Sequence, residues 1–448
     1  MEQIEGFSQL PMNELFREEG FACKCGKHHH ADVKEVIIGQ GVIKQLPDMI
    51  KKYGGKKPFL LADRNTWQAA GKRAVSLLKE HGMEFTSYVY PQEHLKPDEF
   101  AVGQATMNFD RSCDFIVAIG SGTINDITKI LARATDFPYI IAATAPSMDG
   151  FASNTSSMIS NGVKVSFYTT YPVAILADLD VVCQAPEKLI QAGMGDIVAK
   201  YVSICEWRIS HLINDEYYCE EVASLVRRSL TKCVESADGL TIRDPKAIES
   251  VLEGLILSGI AMGFADISRP ASGVEHSFSH IWDMRSLEFQ TNSDLHGIQV
   301  GIGTVLALKI YEQVRTIRPD KAKALDYAAC FDMGQYDEFL LDFLGSSAKD
   351  LILLEKKEGK YDKAEHEKRL EIIIKHWHEI PSIIDEELPS VAAMENLLSG
   401  LGAPVDPSAL GFSEDEVRKT LVVTKDIRDK YIASRLLWDL GELDEISL

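Results

Sequence analysis

Residues 114–145 read DFIVAIGSGTINDITKILARATDFPYIIAATA, and they decide the fold class. DFIVAIG (114–120) is a continuous apolar run ending on glycine, TINDITKILARA (123–134) carries apolar residues at helical spacing, and YIIAATA (139–145) is a second apolar run. A strand covered on both faces reads as an unbroken apolar run, and two such runs joined through a helix form a parallel pair. The alternation extends upstream. VKEVIIG (33–39) precedes the helical GVIKQLPDMIKKY (41–53), PFLLADR (58–64) precedes WQAAGKRAVSLLKEHG (67–82), and FTSYVY (85–90) follows. The expectation is a Rossmann-like α/β domain built on a parallel sheet.

After AILADLDVVCQAP (174–186) the strand signals fade, and segments of 3.6-residue periodicity such as DIVAKYVSICEWRISHLI (196–213) and IESVLEGLILSGIAMGFADI (248–267) take over. The sequence predicts an α/β domain over residues 1–185 followed by an all-α domain over 186–448. The charged stretch around LEKKEGKYDKAEHEKRLE (354–371), within residues 349–389, reads as a solvated helical face.

With 47 Lys+Arg against 67 Asp+Glu the net charge is −20, which argues against a partner rich in phosphate charge such as nucleic acid or an anionic membrane surface. An anionic substrate must then be held by a few local cations or a helix N-terminus. No run approaches 18 consecutive apolar residues, so no membrane insertion is expected, and the opening MEQIEGFSQLPMNELFREEG has neither a basic nor an apolar leader region. Eight scattered cysteines suit reduced thiols in a cytoplasm.

Three constellations could carry chemistry. In the first, Gly120, Ser121, Gly122 and Thr123 close a strand and open a helix, with Asn125, Asp126 and Lys129 behind them. Such glycines let the backbone approach a pyrophosphate that the helix N-terminus then stabilises, although a plain structural turn explains them too. Asp63 closes another strand, where a carboxylate can bond an adenosine ribose and disfavour a 2′-phosphate. A helix-capping or turn role is the competing reading. The second constellation, Thr144 to Ser153 (TAPSMDGFAS), sits in a loop at a strand's carboxyl end, where open α/β sheets bind ligands. A self-bonded Ser/Asp turn is the alternative. The third joins Asp196 in GMGDIVAK to His276 and His280 in SGVEHSFSH and to His296 in DLHGIQVGIG. One carboxylate with two imidazoles suits a divalent metal that keeps a position open for substrate. A further cluster of metal-ligand type, Cys23, Cys25, His28, His29 and His30 in CKCGKHHHADV, lacks the ligands to close a site, and a structural or adventitious role is expected.

Taken in order, GSGTINDITK, TAPSMDGFASNTSSM, GMGDIVAK, SRPASGVEHSFSH and LHGIQVGIGT resemble the glycerol-1-phosphate dehydrogenases. The likeness is greatest to the bacterial AraM-type branch within the iron-containing alcohol dehydrogenase and glycerol dehydrogenase superfamily. It runs from about residue 22 to the end, where YIASRLLWDLG (431–441) fits the last helix. The resemblance implies a dehydroquinate synthase-like architecture of two domains, with the active site in the cleft between them. It implies that Gly120, Ser121, Gly122, Thr123 and Ile124 cradle the pyrophosphate of NAD, with Asp63 near the ribose. Thr144, Ala145, Pro146 and Ser147 would line the dinucleotide and Ser153 would add a contact. Asp149 would touch substrate, Asp196, His276 and His296 would bind the metal with Asp196 also near the substrate as a catalytic residue, and His280 would contact substrate. The implied reaction interconverts dihydroxyacetone phosphate, a phosphorylated triose, and sn-glycerol 1-phosphate with NADH, using zinc first and nickel second, in a cytoplasmic homodimer. Arg269 and Lys200 are candidates for the substrate phosphate, so Arg269→Ala is expected to raise the Michaelis constant. A solvent-facing ion pair is the competing reading for either. The alternatives are a glycerol dehydrogenase acting on an unphosphorylated polyol and a non-catalytic NAD- and metal-binding scaffold. A 3-dehydroquinate synthase is disfavoured because that family carries glutamate where Asp196 stands.

Overall fold

The computed structural model of the chain describes residues 6–161 and 163–448. The first five residues of the opening segment lie outside them. A short hairpin opens the chain, with β1 (Phe21–Ala22) antiparallel to β2 (His28–His29). The strands that follow are β3 (Glu35–Gly39), β4 (Pro58–Asp63), β5 (Thr86–Tyr90), β6 (Phe115–Gly120) and β7 (Tyr139–Ala143). A second hairpin pairs β8 (Thr155–Ser160) with β9 (Val163–Tyr168), and β10 (Ala174–Asp178) completes the set.

β3, β10, β7, β6, β4 and β5 lie in that order in one six-stranded sheet, and every pairing in it is parallel. The apolar runs therefore end where their patterning placed them. Along β4 and β6 the residues Phe59 to Ala62 and Phe115 to Ile119 are fully buried, and the alternate positions Leu60, Ala62, Val117 and Ile119 join one core with Ile50, Ala74, Leu77 and Leu78. The chain steps outward from β4 to β5 and then returns to the other side of β4 to make β6. A topological switch point thus falls between β4 and β6, whose carboxyl ends are Asp63 and Gly120. The β8–β9 hairpin was not anticipated, because β8 (TSSMIS) is rich in Ser and Thr and β9 (VKVSFY) interrupts its apolar residues with Lys and Ser, so neither carries an unbroken apolar run.

The chain packs as two compact units, but it does not divide at a single point near residue 185. One unit comprises Met1–Ile197 and Glu220–Ile267, the other Val198–Cys219 and Ser268–Leu448. The expected boundary fails because helices Glu220–Glu235 and Pro245–Ala265 bury their apolar faces on each other and within the sheet-bearing unit. Pro245–Ala265 is long and apolar enough, by length and composition, to cross a bilayer, and most of it is core. The second unit is helical. Its core gathers Ile281, Met284, Leu340, Phe343, Leu344, Leu351 and Val423.

The charged 349–389 stretch forms helices Ala348–Glu358, Lys363–His376 and Glu379–Glu387, with Leu351, Leu370, Ile373 and Ile384 inward and most charges outward, Glu355 and Glu387 being buried exceptions. Arg369 makes a bidentate pair to Asp439 of the last helix, Ala433–Leu440, every residue of which is buried.

Candidate functional site

β6 ends at Gly120, Ser121 follows, and helix Gly122–Thr135 begins at once, so the backbone N–H groups of its first turn point out of the sheet's carboxyl edge. Gly120 cannot carry a side chain, since a Cβ there would press on Ile124 at 2.6 Å. The Ser121 hydroxyl lies 2.6 Å from that of Ser147 and bonds the Ala145 carbonyl at 3.2 Å, tying the glycine turn to the loop after β7. Thr144, Ala145, Pro146 and Ser147 are all buried along that loop.

Lys129 braces the loop from below. Fully buried, it donates to the Gly150 carbonyl at 2.7 Å, the Ser153 hydroxyl at 3.1 Å and the Thr155 carbonyl at 2.8 Å. Burial pulls its ammonium down to about 8, against the opposing pull of Asp126 and Asp149. Asn125 donates to the same Gly150 carbonyl at 3.1 Å. Asp63 caps the short helix Arg64–Thr66 through a capping box, and both capping bonds fall on Oδ1.

Asp196 lies fully buried on the long helix Glu187–Asn214. Its Oδ2 accepts the Asp149 N–H at 2.9 Å, and the Asp149 Oδ2 accepts the Ser258 hydroxyl at 2.9 Å. The helix comes this close because Gly193, three residues earlier, has no side chain to strike the Pro146 carbonyl.

The imidazoles come from two tightly packed helices, Val274–Glu288 and His296–Val314. Gly303 permits the approach, since a Cβ there would lie 3.1 Å from the Glu275 carbonyl carbon. The His276 and His296 ring centroids are 5.2 Å apart, and the His280 ring is 6.3 Å from the first and 5.9 Å from the second.

Both outer nitrogens are occupied. His276 Nδ1 donates to Glu275 Oε1 at 2.7 Å. His296 Nδ1 meets the Ser279 hydroxyl at 3.0 Å, and because that hydroxyl spends its proton on Gln299 Oε1 at 2.9 Å, the ring is the donor. In each ring the lone pair is thereby left on Nε2, the arrangement that acceptors behind the ring impose on metal-binding histidines. Asp196, His276 and His296 each offer one ligand atom, and these atoms lie within 4.8 Å of one another. The donor set suits a divalent metal.

Glu275, Ser279, Ser258 and Gly193 were not singled out in the sequence. Glu275 and Ser279 sit inside the quoted SGVEHSFSH, so adjacency to the histidines was a usable signal. Glu275 and Glu206 are buried together, and burial with this like-charged neighbour pushes Glu206 up to about 8.

Arg269 is the correction. It is 2% exposed, and its Nε and Nη2 grip both carboxylate oxygens of Glu216 at 2.7 and 2.6 Å while Nη1 donates to the Tyr431 carbonyl at 2.9 Å. Its donors are committed to the protein, which makes it a structural residue and not a phosphate ligand.

The profile of the iron-containing alcohol dehydrogenases matches residues 37–186. A glycerol-1-phosphate dehydrogenase [NAD(P)+] of Bacillus licheniformis is 31% identical over 94% of this chain and 93% of its own. One of Halalkalibacterium halodurans is 36% identical over 67% of this chain and 77% of its own. Among solved structures, the glycerol dehydrogenase of Schizosaccharomyces pombe superposes with a TM-score of 0.60 at 16% identity, over 92% of this chain and 89% of that one, a likeness of fold alone. The chain therefore belongs to the glycerol-1-phosphate dehydrogenase family within the iron-containing alcohol dehydrogenases.

Proposed function

We propose that this protein interconverts dihydroxyacetone phosphate and sn-glycerol 1-phosphate, with NAD(H) as hydride carrier and Asp196, His276 and His296 holding a divalent ion, zinc first and nickel second. The observation that carries the reading is the match across 94% of the chain to a relative named for that activity. In support, Glu275 and Ser279 each occupy one ring nitrogen and present the other to a common point.

A divalent ion at that point supplies Lewis-acid stabilisation for the charge that grows on the C2 oxygen. The chain's own residues do the rest. Gly122, Thr123 and Ile124 receive the NAD pyrophosphate on the first-turn N–H groups, a helix-terminus anion site. Gly120 and Ser121 keep the turn tight, Thr144 to Ser147 line the dinucleotide, and Asp63 faces the adenosine ribose. Ser153, held by Lys129, stiffens the same loop. Asp149 orients the substrate with a carboxylate that Ser258 fixes in place. His280, one turn beyond His276, exchanges the proton of the C2 oxygen. With Arg269 committed to Glu216, Lys200 is the remaining candidate cation for the phosphate.

The test is NADH oxidation by chelator-stripped protein refilled with zinc or nickel, with dihydroxyacetone phosphate as substrate and chiral analysis of the product. Metal-dependent formation of the sn-1 phosphate is expected. Turnover of glycerol with NAD but not of the phosphorylated triose would overturn the substrate assignment and leave a polyol dehydrogenase.

A further inference from the structure

Away from the Asp196 group, three cysteines and one histidine converge near the start of the chain. We infer that Cys23, Cys25, His29 and Cys219 form a second metal site, which binds a structural zinc ion through three thiolates and one imidazole. Each offers one ligand atom, and all four atoms lie within 4.8 Å of one another.

A zinc tetrahedron with Zn–S of about 2.3 Å and Zn–N of about 2.0 Å has edges of about 3.5–3.8 Å. The Cys25 Sγ to His29 Nε2 separation is 3.3 Å, an edge already near that length.

The local backbone explains how the short C-x-C spacing works. Gly26 N–H returns to the Cys23 carbonyl at 3.1 Å and Cys23 N–H to the Lys27 carbonyl at 3.1 Å, so residues 23–26 form a tight turn between β1 and β2. Gly26 takes φ +86°, a left-handed conformation that suits glycine, and the turn carries both thiols. Along β2 the residues alternate, His28 exposed and His29 fully buried. Of the three histidines grouped with the cysteines in the sequence, His29 is therefore the one that completes the set with Cys219.

The tautomer of His29 is fixed by its other nitrogen. Nδ1 lies 2.7 Å from the carbonyl oxygen of Phe264, and a carbonyl can only accept, so Nδ1 carries the proton. That carbonyl belongs to the last turn of helix Pro245–Ala265, where acceptors have no partner within the helix. The Nε2 lone pair is thereby turned toward Cys25, as in a metal-binding histidine whose far nitrogen is held by an acceptor. Lys27 caps the neighbouring Ala265 carbonyl at 2.8 Å. Phe7 and Phe264 pack on the His29 ring at 5.2 and 5.6 Å, and Phe21 packs in turn on those two phenyl rings at 5.3 and 6.0 Å. The frame is rigid and apolar, the setting in which three thiolates favour zinc and the closed set of four ligands makes the site structural. Zinc binding releases a proton from each thiol and oxidises nothing.

Cobalt substitution separates this site from the Asp/His/His group, because only this one contains sulfur. Cobalt-loaded protein is expected to show a thiolate-to-cobalt charge-transfer band that survives in His296→Ala and is lost in Cys25→Ser. If the serine variant fails to fold, alkylation of the wild-type chain decides the matter. Cys23, Cys25 and Cys219 should be protected until a chelator is added, while the exposed Cys330 reacts throughout. Absence of the charge-transfer band would overturn the proposal. So would labelling of Cys23 and Cys25 at equal rates with and without chelator, or labelling that waits on a reductant and marks a disulfide.

Discussion

Gly193→Ala is a one-methyl perturbation that weighs a close approach against helix propensity. Gly193 is buried on helix Glu187–Asn214, and a Cβ there would lie 2.9 Å from the carbonyl carbon of Pro146, nearer still to its oxygen, and 3.3 Å from Leu255 Cδ1. Ordinary carbon–carbon contact is about 3.5–4.0 Å and the oxygen lies nearer than the carbon, so the helix and the loop must separate by at least about 1 Å. Overpacking of that kind costs about 1–3 kcal/mol. Helix propensity alone pulls the other way, favouring alanine by about 0.8–1 kcal/mol. The clash outweighs it because the struck group is backbone that cannot rotate aside. The displaced loop carries Asp149, whose N–H bonds Asp196 one turn along from Gly193. A 1 Å misplacement of reacting groups lowers turnover by about 10²-fold. Urea unfolding and steady-state kinetics with dihydroxyacetone phosphate should therefore give a lower midpoint and a fall in kcat of about two orders of magnitude. A variant that unfolds at higher urea than wild type with unchanged kcat would refute the reasoning.

Lys129→Met should lower the chain's tolerance of urea through loss of three hydrogen bonds to the loop after β7, and its pH dependence carries a sign. Because the folded-state lysine is depressed to about 8 from 10.5, the unfolded chain binds more protons across that interval. The wild type should therefore gain stability relative to the methionine variant as pH rises from about 8 to about 10.5, by up to a few kcal/mol, with a flat difference below about 8. A difference that shrinks over that interval would contradict the assigned burial. Glu275→Gln weakens the carboxylate on His276 Nδ1 and should lower metal affinity by about 10–100-fold, read by competition with a chromophoric chelator. Unchanged affinity would show that Glu275 does not tune the ligand. Arg269→Ala strands Glu216, which is 29% exposed on its side chain, and after allowance for that solvent contact should cost about 2–3 kcal/mol in chemical unfolding. Its Michaelis constant for the phosphorylated triose should stay at the wild-type value. A selective rise would return Arg269 to the substrate.

Much of the first unit was legible because its signals are local. The runs at 58–64, 114–120 and 139–145 became adjacent parallel strands, since a run apolar on both faces has no stable place except the middle of a covered sheet. Ser121 and Gly122 were placed correctly at a strand-to-helix turn for the same local reason. The return of residues 220–267 to the sheet-bearing unit was not legible. A helix's periodicity tells that it has an apolar face and not which surface that face covers.

The metal-type residues divide along the same line. The amino-acid sequence by itself determined that Asp196, His276, His280 and His296 are ligand-type side chains in apolar helical surroundings, and that the glycine turn follows a strand. Only tertiary structure decided which nitrogen each ring offers, through Glu275 and through Ser279 bonded on to Gln299. It also withdrew Arg269 into a pair with Glu216, and it paired Cys23 and Cys25 with His29 and a Cys219 nearly two hundred residues away. The physical reason is range. Strand burial and helix spacing follow from neighbours along the chain, whereas a hydrogen bond, an ion pair or a set of metal ligands depends on which side chains meet in space, and packing alone sets that.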